Sequence, residues 1–100
     1  MKNCVTTVLV DGVDLNVEIF SLYDDKEIAL ECGHVPQWCR IAGEQHRIEV
    51  YFPDGHVVIF EARLIAIHEM PIMTLPLHPL RERNRLAFSI SSRTERVTGI

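Results

Sequence analysis

Short apolar stretches alternate with turn-forming residues along this sequence, and no stretch sustains a helical period. That pattern favours an all-β fold. Asp11-Gly12 is the clearest divider. Both central positions of a two-residue hairpin need positive φ, which Asp and Gly tolerate. Before it, Cys4–Val10 is rich in β-branched residues. After it, Val13–Phe20 alternates: Val13, Leu15, Val17 and Ile19 share one face, and Asp14, Asn16 and Glu18 the other. This predicts a strand with one wet face. Tyr23-Asp24-Asp25-Lys26 reads as the next turn, and Glu27–Cys32 as a third strand with Ile28 and Leu30 inward. Six residues are too few for a stable helix.

Gly33, Pro36 and Gly43 break the pattern, so Gly33–Gln45 is expected to be a loop with a short helical turn near Trp38–Ile41. Arg47–Phe52 alternates again, Pro53-Asp54-Gly55 supplies a turn, and Val57–Ile67 reads as a long central strand. Apolar residues crowd both faces of that strand, so a bulge or bend near Ala62 is expected where it passes between two packing environments. Pro71, Pro76 and Pro79 hold Met70–Leu80 to an edge or a loop. Arg85–Ile90 is the last predicted strand. The expectation is one domain over residues 1–90, a six- or seven-stranded antiparallel barrel or sandwich with at most a short helical turn. Residues 91–100 would be a polar, flexible tail.

At 100 residues the chain suits a single domain. Its net charge of −4 argues against general nucleic-acid binding. Residues 1–80 carry five Lys/Arg and twelve Asp/Glu, a net of −7, whereas residues 81–100 carry a net of +3. An acidic body thus ends in an arginine-rich segment. The longest purely apolar runs have four residues, so neither a membrane helix nor a secretion signal is expected and the expectation is a cytoplasmic protein. Cys4, Cys32 and Cys39 are then expected to act as small thiol hydrophobes. No nucleophile stands beside an evident base, and no phosphate loop or metalloprotease motif is present, so the expected function is non-enzymatic.

Three groups of residues could bind. In an extended chain Arg81, Arg83 and Arg85 form a cationic row, with Glu82 and Asn84 opposite, suited to a carboxylate or phosphate. The alternative is a set of exposed ion pairs with the acidic body. Cys32, His34, Cys39 and His46 are zinc-ligand types in one loop region, which gives a rival reading as a zinc-stabilised interaction domain. Otherwise the two cysteines line the core and the histidines face solvent. Trp38 is the only tryptophan, either a partner contact or a plug for the barrel end. The aspartates of the turns have turn chemistry as their role, and Glu61 and Arg63 share a strand face.

Arg81-Glu82-Arg83-Asn84-Arg85 resembles the R-x-x-x-R half of the cyclic-di-GMP signature of PilZ domains. Residues 43–90 resemble the small β-barrel upstream of PilZ in flagellar-brake proteins: two strands about a Pro-Asp-Gly turn, a proline-containing stretch, then the arginine linker. The family's second motif, [D/N]-x-S-x-x-G, has no counterpart in Ser89–Gly99. The resemblance implies a bacterial regulatory or adaptor barrel with Arg81 and Arg85 as the transferable residues. Its ligand would be a protein partner or an anion such as a cyclic dinucleotide. The exposed strands need covering, which a homodimer would supply.

Overall fold

A computed structural model describes residues 7–69 and 83–97. Seven strands form one antiparallel sheet: β1 (Thr7–Val10), β2 (Val13–Asp14), β3 (Ile19–Tyr23), β4 (Glu27–Cys32), β5 (Gln45–Tyr51), β6 (His56–Glu69) and β7 (Asn84–Val97). Their order is β2-β1-β5-β6-β7-β4-β3. Among the described residues the lone helical element is a 3-10 turn at Gln37–Cys39, close to its expected place. The protein is therefore all-β.

Local sequence explains the turns. Asp11 and Gly12 adopt φ of 52° and 82°, and Val10 pairs with Val13 across them. Asp24 and Asp25 take positive φ at the tip of β3–β4. In the Pro53-Asp54-Gly55 turn the Asp54 carboxylate accepts the His56 amide at 2.9 Å. One expectation fails here. Val13–Phe20 is not one strand, because Asn16 enters the left-handed region at φ 56° and its amide donates to Asp14 Oδ1 at 2.8 Å. Asn tolerates that conformation and Asp supplies the bond. The break leaves Val13 and Ile19 exposed and sends Leu15 into the core.

The sheet cannot be flat. Leu15–Glu18 alone joins β2 to β3, which stand at opposite ends of the strand order. Six strand spacings would separate them by about 29 Å, and the link spans at most about 18 Å. The aromatic core shows how the sheet bends. Phe20 is in register with Ile67 through Leu30 and Leu86. Phe60 lies seven residues before Ile67, so a flat sheet would hold Phe20 and Phe60 about 27 Å apart. Their ring centroids are 6.4 Å apart. Register shifts at Glu61/Ala62 and Leu64/Ala66 bend β6 and β7, as the crowded pattern near Ala62 predicted. One half, β2-β1-β5 on the start of β6, thus packs face to face with the other, β3-β4 on the start of β7.

A single core results, including Val10, Ile28, Leu30, Ile48, Phe60, Leu64, Leu86 and Phe88. Burial of each large side chain contributes roughly 1.5–3 kcal/mol. A second expectation also needs correction. Ser91–Val97 is not a frayed tail, because it continues β7 and pairs with His56–Glu61. Residues 91–96 are exposed, so no apolar pattern marks the strand; the ladder bonds to β6 hold it. The whole of Met70–Leu80, together with Arg81 and Cys4, lies outside the described residues.

Candidate functional site

Arg83, just before β7, and Arg85, at its start, lie on the side of the sheet away from the core. Asn84 between them points inward, fully buried, and donates Nδ2 to the Gly33 carbonyl at 2.6 Å. The expected alternation holds for these residues, while Arg81 lies outside the described residues. The two guanidinium groups differ. Arg83 is engaged with Glu18 and Glu31, each at 3.2 Å. Arg85 donates Nη2 to the Tyr23 phenol oxygen at 2.9 Å and forms no ion pair among the described residues. The row expected to be free is therefore half committed to the acidic body.

The strand register builds a surface around Arg85. Ser21, Ala29, Ala87 and Ala66 stand in one row across β3, β4, β7 and β6, on the side opposite the core residues Phe20, Leu30, Leu86 and Phe88. Ile19 and Tyr23 border that row on β3, 42% and 46% exposed. Tyr23 pairs with Glu27 and Arg85 with Glu31, so the Tyr23–Arg85 bond runs diagonally across β4 above Ala29. Small side chains leave room for that bridge, and Ala29 is buried although it faces outward. Period-two reading had placed Ile19 inward and Tyr23 in a turn. The interruption at Asn16 reverses the first, and no short motif marked the second.

Farther along β7, Arg93 bonds to Asp25 at 2.6 Å and Glu95 at 3.1 Å, and its guanidinium lies 5.7 Å from the Phe60 ring centroid. Glu95 also meets His56 at 2.6 Å. This chain of charges fastens the β3–β4 turn to the far half of the sheet.

The loop candidates fall inside. Asp11 Oδ2 lies 2.7 Å from His46 Nδ1, and Asp11 Oδ1 accepts the Arg47 amide at 2.8 Å. An ionised carboxylate can only accept, so Nδ1 carries the shared proton. His46 is buried, with Trp38 and Phe88 rings each 6.1 Å from its own. Its Nε2 has no hydrogen-bond partner among the described residues. His46 was expected to face solvent or to bind zinc; instead it stitches β5 to the Asp11 turn. Trp38 is 38% exposed and its ring borders this cluster.

Cys32 and Cys39 are fully buried free thiols. Burial above all, then the Asp11 and Cys32 charges, pushes the Cys39 thiol up to about 11. A thiol held protonated is a poor metal ligand and a poor nucleophile. His34 is exposed while Cys32, Cys39 and His46 are buried. Among the described residues no three His, Cys, Asp or Glu side chains are grouped to hold a metal ion, so the four-ligand zinc set is not assembled.

A groove of about 450 Å³ lies between Thr7, Leu9, Tyr51, Phe52, Pro53 and Gly55. The Tyr51 phenol there donates to Glu49 at 2.6 Å, a bond that raises its pKa. Among the described residues no helix is long and apolar enough to cross a membrane. Comparison with protein-family models, curated proteins and solved structures finds no match.

Proposed function

We propose that this chain is a small non-enzymatic adaptor module that docks a protein partner on the outer face of β3, β4 and β7. The observation that carries this reading is the grouping of Ile19, Tyr23 and Arg85 around a floor of small residues. Tyr and Arg, like Trp, are enriched at binding hot spots, and a floor of small residues lets a partner approach closely. A dinucleotide-gripping row finds less support, because Arg83 already satisfies two carboxylates.

The test is affinity capture from the producing cells with the intact chain as bait. Ile19→Asp/Tyr23→Asp is expected to lose the captured partner at least tenfold, whereas Val13→Asp, at an exposed position on β2, keeps it. Equal capture by the folded double variant, verified by far-ultraviolet circular dichroism, removes this face as the docking surface.

A further inference from the structure

We infer that the Tyr23–Arg85 pair is a carboxylate receptor, and that the partner presents an Asp or Glu to it from an extended acidic and apolar segment. This rests on the docking face just proposed and specifies its chemistry. An arginine carries five N–H donors and no acceptor, and one of the five goes to Tyr23. The phenol oxygen accepts that bond, so its own hydrogen remains to be donated. The pair therefore has guanidinium and phenol hydrogens left to donate.

Two other guanidinium groups along this segment already engage carboxylates. Arg83 has Glu18 and Glu31, and Arg93 has Asp25 and Glu95. Glu31 stands directly across from Arg85, yet its Oε1 is bonded to Arg83. Arg85 is thus a cation lacking a carboxylate among the described residues, beside a floor of Ser21, Ala29 and Ala87 that a peptide backbone can approach. A planar fork matches a carboxylate in two-point contact. Glu27 and Glu31 flank the site on β4, so a single negative charge is favoured over the double charge of a phosphate monoester. An extended segment fits because the floor of small residues runs across β3, β4 and β7.

The experiment titrates the isotope-labelled full chain with an acetyl-Leu-Glu-Val-Glu-Leu amide peptide and with its Gln-for-Glu counterpart. Nuclear magnetic resonance follows the Arg85 side-chain Nε–Hε and the amides of Ser21, Ala29 and Ala87. The expected result is a saturable shift of these signals, at least tenfold weaker with the Gln peptide, lost in Arg85→Gln and kept in Arg47→Gln. Equal binding of the two peptides, full binding by Arg85→Gln, or no shift with either peptide overturns the carboxylate assignment. So does a shift that grows with protein concentration alone, which would make a second copy the occupant. None of these results touches the capture experiment with the Ile19 and Tyr23 variants, so the docking face and its carboxylate chemistry fail separately.

Discussion

The Asp11–His46 cluster and the Tyr23–Arg85 face use similar groups for opposite ends. In the first, a carboxylate meets a buried imidazole and a backbone amide, at 2.7 and 2.8 Å, with two aromatic rings each 6.1 Å from the imidazole. In the second, a guanidinium meets a phenol at 2.9 Å on an open surface. Burial makes the difference. Desolvated polar groups are costly to leave unpaired, so the first cluster holds the fold together. Solvent discounts the second, which leaves its donors available.

Breaking the buried cluster should have the largest effect. Asp11→Ala removes both acceptors and strands His46, at a cost of about 3 kcal/mol in urea unfolding. Asp11→Asn keeps a residue tolerant of positive φ, so its smaller loss separates bond loss from turn strain. A cost near zero for Asp11→Ala would mean that the cluster is no more structural than the surface pair.

The next effect is alkaline. The Cys39 thiol has an ordinary value of 9.0 and is pushed up to about 11 in the fold. Above pH 9 the unfolded chain loses this proton first, so its stability contribution is intact below pH 9 and declines between pH 9 and 11. Two pH units correspond to roughly 2–3 kcal/mol. Unfolding free energies measured from pH 7 to 11 should therefore fall more steeply in the wild type than in Cys39→Ala. Parallel curves would show that the thiol is not held protonated by the core.

The smallest effect belongs to the open face. Arg85→Ala should change stability by less than about 0.5 kcal/mol, since it removes one exposed bond. A loss comparable to that of Asp11→Ala would erase the contrast and make Arg85 a structural residue.

Much of the architecture was legible because it follows from local chemistry. Asp11-Gly12 and Pro53-Asp54-Gly55 turn where they should, Glu27–Cys32 points Ile28 and Leu30 inward, and the apolar crowding around Ala62 marks the bend. What escaped depended on distant partners. Alternation through Val13–Phe20 survives in the sequence although a left-handed Asn16 divides it. Residues 91–96 carry no buried stripe, and backbone bonds to His56–Glu61 are what fix this part of the strand. The site was legible only in part. Spacing put Arg83 and Arg85 on one side, but the carboxylate that engages Arg83 from β4 lies 52 residues earlier, and Tyr23 lies 62 residues before Arg85. Cys32, Cys39 and His46 lie close together in sequence, yet burial turns them to packing rather than ligation.

The long β6–β7 pair also governs the order in which the chain can assemble. β4 has no neighbour but β3 until β7 exists, and β1 waits for β5. Both early hairpins are thus translated before the strands that receive them, and two-stranded hairpins are marginal alone. So many distant pairings predict a folding time in the millisecond-to-second range typical of β topologies. A nascent chain halted before Arg85 would expose the apolar edge of Glu27–Cys32 and be a target for chaperones or aggregation.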